Sequence, residues 1–180
     1  MNQHPTTHDL IIMLANTCQH IVPQYITPVC EDDPTLEIFE LVILDFTTFL
    51  CWLACIDTHI SKQELKFINE AFPNASPAFT EADVLKTLDD FDCLGNNFLT
   101  LLPCSYIPIV KTDNELYKEN PDGNINLISQ YYEIFRAIGE ALTYCDSGDP
   151  NANSSTKQKA LADFLFMLAS YENRHSLRTK

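Results

Sequence analysis

Two acidic residues, Asp57 and Glu64, have the type and spacing to do chemistry in this chain. Asp57 ends a long apolar run, and Glu64 stands in the pattern Ser61-x-x-Glu64 that opens the next amphipathic segment. Carboxylates are preferred ligands of Ca²⁺ and Mg²⁺, so the pair could hold a divalent cation. The structural alternative is that Asp57 accepts from amides of its own turn while Glu64 completes a capping box with Ser61. Two carboxylates are few for a cation, which favours the structural alternative.

A fainter copy of this acidic turn occurs at Asp146. The loop 146–155 is rich in side-chain oxygens, but it lacks the closing bidentate acid of a calcium loop. The pattern favours a polar connector over a calcium site. Asp146 is therefore a third candidate metal ligand beside Asp57 and Glu64, and the weakest of the three.

Asp45 is the one acid inside the apolar run itself. A buried carboxylate requires a partner or a raised pKa, so Asp45 is a candidate functional residue. The alternative is a structural contact in which a hydroxyl or amine of a neighbouring helix binds the carboxylate. The sequence favours the structural contact and leaves the functional role open.

The sequence contains no recognised catalytic pattern. It has no G-x-S-x-G, no H-E-x-x-H and no glycine-rich phosphate or dinucleotide loop. Cys55 and His59 could form a thiol–imidazole pair, but no basic neighbour lowers the pKa of the thiol. His4 and His8 have helical metal spacing, but they lie near the N-terminus. We therefore expect a protein that is not an enzyme.

Composition narrows the function classes further. The chain has 180 residues, 46% of them hydrophobic, and a net charge of −14. This anionic balance disfavours nucleic acid and anionic membrane surfaces as partners. The seven Cys residues form no C-x-x-C pair, which indicates reduced thiols in a cytoplasmic protein. No signal peptide is evident.

Apolar spacing and turn signals predict a single all-α domain over residues 1–180. Only four Gly occur, and the Pro residues fall mostly between the apolar segments. We expect a bundle of six to eight helices, with residues 174–180 as a frayed tail. The predicted helices cover about 7–22, 34–57, 61–72, 80–95, 124–145 and 156–173, with short turns or helices at 98–102 and 113–118.

The most apolar segment, residues 34–57, is predicted to be the centre of the bundle. Leu41–Ile56 is nearly continuous in apolar residues, yet it is shorter than the roughly 20 residues of a membrane span and contains Asp45. A helix apolar on almost every side has to be surrounded by other helices. We expect no membrane span, and two pseudo-repeated helix pairs at 34–72 and 124–173.

The Asp57 turn resembles the signature of TerB-like domains, a family named for tellurite-resistance proteins. A helix ends in Ala-x-x-Asp, and an isoleucine–serine pair and a helix-opening glutamate follow. Asp57, Ile60, Ser61 and Glu64 match this signature, whereas Thr58 stands where glycine is usual. In the second copy Lys159 occupies the position that corresponds to Glu64.

The TerB-like resemblance implies an all-helical fold and a place in bacterial stress-response or membrane-linked complexes, and for some members divalent-metal binding through acidic residues. The chain also resembles a helical segment that precedes AAA-type ATPase modules in some bacterial proteins. No ATPase motif is present here. We therefore expect a non-catalytic protein-interaction module of a stress-response or ATPase-linked system, with an AAA-type ATPase or membrane-associated complex as partner. The alternative is a divalent-metal sensor that uses the acidic turn residues.

Overall fold

The computed structural model describes residues 5–30, 33–57, 59–93, 102–145 and 154–178. Within these residues the chain is all-α and contains no strand, as the sequence predicts. Seven α-helices pack as a bundle around a buried apolar helix. They are α1 Thr7–Ile21, α2 Ile38–Cys55, α3 Lys62–Ala71, α4 Glu81–Cys93, α5 Tyr106–Glu119, α6 Leu127–Tyr144 and α7 Ser154–His175, with a 3₁₀ turn at Val22–Gln24.

The central helix is α2, which contacts α1, α3, α4, α6 and α7. Its mean hydropathy of 1.9 over 18 residues makes it long and apolar enough to cross a membrane, but 67% of that segment is buried inside the fold. Phe46 stacks on Phe135 of α6 with ring centroids 3.9 Å apart. Phe49 contacts both Phe135 and Phe164 of α7, at 4.9 and 4.8 Å. These aromatic contacts are the reason that α2 has little exposed surface.

The start of α2 differs from the sequence prediction. The predicted first turn lay at residue 34, whereas the helix begins at Ile38. The Asp33 carboxylate accepts from the backbone N–H of Thr35 at 3.0 Å. An aspartate that binds the amide two residues ahead stabilises a local turn and competes with helix formation.

The segment before residue 120 also differs from the prediction. The sequence predicts only short turns or helices at 98–102 and 113–118, whereas α5 runs from Tyr106 to Glu119 and includes Pro108. The proline lies in the first turn of the helix, where backbone N–H groups need no intrahelical acceptor. Most of the predicted helix at 98–102 lies outside the described residues.

The C-terminal segment is docked where a frayed tail was expected. Helix α7 continues to His175, and Ser176 is fully buried. The side chain of Asn114 donates to the His175 carbonyl at 2.8 Å and accepts from the Leu177 N–H at 2.7 Å. Side-chain contacts from α5 thus hold the chain end through residue 178.

The two predicted helix pairs correspond to α2–α3 and α6–α7. Helices α6 and α7 pack along each other, whereas α2 and α3 touch over a shorter length. Both pairs contribute to the core around α2. Their origin by duplication remains a prediction.

Candidate functional site

The Asp57–Glu64 turn forms the local bonds that the structural alternative predicted. The Ser61 hydroxyl accepts from the Glu64 N–H at 3.0 Å, and the Glu64 carboxylate accepts from the Ser61 N–H at 2.9 Å. The Asp57 carboxylate accepts from the His59 N–H at 3.3 Å. This capping box starts α3 and fixes both carboxylates at the α2–α3 junction.

Lys157 of α7 brings these two carboxylates into one buried cluster. Its ammonium lies 3.2 Å from Asp57 Oδ2 and also bonds Glu64 Oε1. The side chains of Lys157, Asp57 and Glu64 are only 2%, 2% and 0% exposed. Burial by itself would lower the pKa of Lys157, but the two carboxylates outweigh that effect and raise it above its ordinary value. The amine is therefore a fixed cation that joins α7 to the α2–α3 turn.

The Lys157 cluster has a direct bearing on the predicted metal site. The ammonium lies beside both carboxylates and supplies the positive charge that a metal would otherwise provide. In the described ranges no three His, Cys, Asp or Glu side chains come close enough together to hold a metal ion. Asp146 lies outside the described residues, so its distance from Asp57 and Glu64 is open. Metal binding by the three acids remains a prediction.

Asp45 lies in a second buried polar cluster, at the N-terminus of α5. Its carboxylate accepts from the backbone N–H groups of Cys104 and Ser105 at 2.9 and 2.8 Å, from the Ser105 hydroxyl, and from the Tyr131 hydroxyl at 3.3 Å. Burial is the main influence on its pKa and raises it to about 6, against the opposing effect of these hydrogen bonds. These hydrogen bonds connect α2 with the start of α5 and with α6, which corresponds to the structural role that the sequence favoured.

A third buried carboxylate, Asp113 of α5, was not singled out from the sequence. It accepts from the Leu127 N–H at 2.8 Å and from Arg178 Nε at 2.6 Å. The Arg178 guanidinium also donates to the Ile125 carbonyl at 2.5 Å. Asp113 therefore accepts from the first residue of α6 and holds Arg178, near the C-terminus, against α5. The sequence signal that could have found it is an acid in the midst of an apolar helical pattern, as at Asp45.

The thiol and imidazole candidates have environments that disfavour catalysis. Burial raises the pKa of Cys55 to about 12 and that of Cys18 to about 12. A nucleophilic thiol requires the opposite shift. His8 lies beside α3, where its Nδ1 is 2.9 Å from the Ala71 carbonyl, and His4 lies outside the described residues. Burial thus leaves the Cys55 thiol without the lowered pKa that a nucleophile needs.

An apolar groove of about 360 Å³ opens on the surface between α1, α2 and the connector from α3 to α4. We call it the α1–α2 groove. It is lined by His8, Ile12, Phe39, Ile43, Thr47, Phe72, Asn74, Ala75 and Phe79. The groove could not be predicted from the sequence, because its lining comes from three separate segments.

Hydrogen bonds hold the walls of the α1–α2 groove in place. The Asn69 side chain donates to the Phe79 carbonyl at 3.0 Å and accepts from the Phe79 N–H at 2.8 Å. Phe79 then packs edge-to-face on Phe72 with centroids 6.2 Å apart. The His8–Ala71 contact joins α1 to the end of α3. The groove is thus preformed, which lowers the entropy cost of binding a partner.

Comparison of the chain with protein-family models, curated proteins and solved structures finds no match. The resemblance to TerB-like domains accordingly rests on the Asp57 turn and the apolar helix before it.

Proposed function

We propose that this chain is a non-catalytic protein-interaction module that binds its partner in the α1–α2 groove. The observation that carries the proposal is the groove itself, a preformed apolar concavity on a surface that is otherwise strongly acidic. Apolar grooves of this kind are typical of sites that receive apolar side chains of another protein. A role in a bacterial stress-response or ATPase-linked system, and a cytoplasmic location, rest on the sequence resemblance and composition.

The buried ionisable groups support a binding role over catalysis. Asp45 and Asp113 each accept two or more hydrogen bonds from other segments of the chain, and Glu64 accepts from Ser61 in the α3 capping box and pairs with Lys157 of α7. A catalytic acid or base has to reach a substrate. These carboxylates are occupied by the fold, and none of them lines the groove.

Site-specific photocrosslinking tests the proposal. A photoreactive residue replaces Thr47 in the groove, and a matched chain carries it at Phe166, an apolar side chain of α7 that is 74% exposed. In extract of cells that express the protein, the Thr47 chain should form one discrete product that the Phe166 chain does not form. The partner identified in this product is then purified, and its affinity is measured with the unmodified protein and with Ile43→Glu.

Reconstituted binding that Ile43→Glu weakens at least tenfold is the expected result, because a carboxylate in the groove would have to be desolvated. Equal products from both positions, or a purified partner that binds Ile43→Glu as tightly as the native chain, would contradict the proposal. Thermal denaturation of Ile43→Glu establishes that the variant is folded.

The alternative, a divalent-metal sensor, would use the carboxylates of Asp57 and Glu64, which lie together at the α2–α3 turn, and a metal there would have to displace the Lys157 ammonium. Calorimetric titration with Ca²⁺, Mg²⁺, Mn²⁺ and Zn²⁺ separates it from the interaction module. A sensor should release or absorb heat on binding and should melt at a higher temperature with millimolar metal. Absence of both effects would rule out the metal-sensor alternative and leave the interaction module untouched.

A further inference from the structure

The geometry points to a specific class of partner: we propose that the α1–α2 groove receives an amphipathic α-helix of another protein that carries Lys or Arg beside its apolar face. This inference rests on the proposed function and adds to it the secondary structure and the charge of the ligand.

The shape of the groove favours a helical ligand. Two of its walls are helices, and the part of the chain that the structure describes offers no sheet edge to which an extended strand could bind. Phe39, Ile43 and Thr47 follow one another at a spacing of four along α2 and line the groove together. The eight residue steps from Phe39 to Thr47 rise about 12 Å, which matches roughly two turns of a ligand helix. Such a ligand would present apolar anchors at positions i, i+3 or i+4, and i+7.

The acidic charge of the groove walls favours a basic ligand. Residues 1–61, which supply both helical walls, contain no Lys or Arg and eight Asp and Glu residues, of which Asp45 is buried and Asp57 is paired with Lys157. Glu40 is exposed and precedes Ile43 by three residues and Thr47 by seven, a spacing that puts it on the same face of α2 as these two groove residues. On α3, Lys66 already pairs with Glu70 at 3.5 Å, so it adds little net positive charge. A ligand with Lys or Arg beside its apolar face meets carboxylates here, and an acidic ligand is repelled.

A second copy of this chain fits the groove poorly. With a net charge of −14, two copies repel each other. A separate basic protein satisfies the charge of the surface better than self-association does.

Selection from a displayed peptide library tests the inference. The library encodes helical frames of about four turns, with apolar anchors flanked in equal numbers by Lys/Arg or by Asp/Glu. The intact protein is the bait, and Ile43→Glu serves for counter-selection. We expect the selected peptides to carry Lys or Arg flanks, to become helical on binding by circular dichroism, and to lose affinity several-fold as salt rises.

Charge variants with a matched control sharpen the test. Glu40→Gln keeps the oxygen that accepts from the Glu37 N–H but removes the charge at the groove border. It should lower the affinity of a selected peptide about two- to fivefold at low salt. Asp122→Asn, the same type of change in the exposed connector between α5 and α6, should leave affinity unchanged. Thr47→Glu blocks the groove at a partly exposed position and replaces Ile43→Glu if that variant does not fold.

The outcomes distinguish the two proposals. If no peptide is selected, or if selected peptides bind the groove variants as tightly as the native chain, the groove is not a docking site and the proposed function fails as well. If peptides bind in the groove without preference for Lys or Arg, without salt dependence or without helix formation, only the present inference is overturned. A dimer that sedimentation velocity detects in the native chain and not in Thr47→Glu would likewise overturn it in favour of self-association.

Discussion

The ammonium of Lys157 lies 3.2 Å from the carboxylate of Asp57, although one residue comes from α7 and the other from the end of α2. Glu64 binds the same ammonium, so one amine joins the first turns of α7 to the turn between α2 and α3. The three side chains are almost completely buried. Removing one member of such a cluster lowers the free energy of unfolding strongly, because the remaining charges stay buried without an opposite charge beside them.

Lys157→Met should destabilise the protein by about 3–5 kcal/mol. The substitution keeps the apolar stem but leaves two carboxylates buried without their cation. Urea denaturation measures the change in the free energy of unfolding. Lys66→Met is the matched control, since Lys66 and its partner Glu70 are 75% and 65% exposed, and it should cost at most about 1 kcal/mol. Equal effects of the two substitutions would show that the buried cluster is not a major source of stability.

Asp45 should make the protein more stable as the pH falls from 6 to 4. Burial raises its pKa from the ordinary value of 3.8 to about 6, so in this range the folded state holds a proton that the unfolded state has released. The contribution grows with falling pH and reaches roughly 3 kcal/mol near pH 4.

Denaturation curves of the native chain and Asp45→Asn, collected from pH 4 to 7.5, isolate this contribution. The difference in the free energy of unfolding between the two chains should change with pH in this window, since asparagine does not titrate. Parallel curves would mean that the hydrogen bonds from Cys104, Ser105 and Tyr131 hold the pKa near its ordinary value.

Gly139→Ala should destabilise the bundle by about 1–3 kcal/mol, although alanine is the better helix former. A Cβ at Gly139 of α6 would lie 2.5 Å from Leu161 Cδ1 of α7 and 3.0 Å from Phe49 Cζ of α2. The buried side chains of Leu161 and Phe49 would have to shift, or the helices separate, to accept it. Thermal denaturation measures the loss, and the double variant Gly139→Ala/Leu161→Ala should lose less than the sum of the two single changes. Strict additivity would contradict the close contact.

Arg178→Gln should cost about 2–3 kcal/mol and loosen the start of α6. The change removes the cation from Asp113, a fully buried carboxylate that also accepts from the Leu127 N–H. Amide hydrogen exchange at Leu127 and at the chain end should accelerate. Arg174→Gln is the control, because the exposed Arg174 bonds only to the Ser170 carbonyl among the contacts described. Unchanged exchange in Arg178→Gln would show that the chain end does not hold α6.

Much of the fold could be predicted from the sequence because the signals are local. The Ser61–Glu64 box and the apolar character of α2 depend on residues within a few turns of one another, and both are present. The predicted start of α2 and the predicted extent of α5 were wrong, and the reason is again local. Asp33 binds its own turn, and Pro108 is accepted in a first helical turn, so turn chemistry outweighed the simple rule for each residue type.

The candidate sites were predicted only in part. Asp57 and Glu64 were predicted as metal ligands or as acids of a capped turn, and Asp45 as a buried acid that needs a partner. The residues that bind them, Lys157, Ser105 and Tyr131, come from distant segments. The α1–α2 groove was missed for the same reason, since no single segment contains it.

The sequence by itself determined the helical class, the central position of α2, the acidic surface and the capping of α3, because periodicity, composition and short-range hydrogen bonds are properties of the chain. Only the tertiary structure decided which charges meet and where apolar surface stays uncovered. Packing places Lys157 beside Asp57 and Glu64, and it leaves Phe39 and Ile43 at the edge of an open groove. The acidic turn therefore forms a buried ion-pair cluster between helices, because α7 supplies Lys157, a cation that the turn itself lacks.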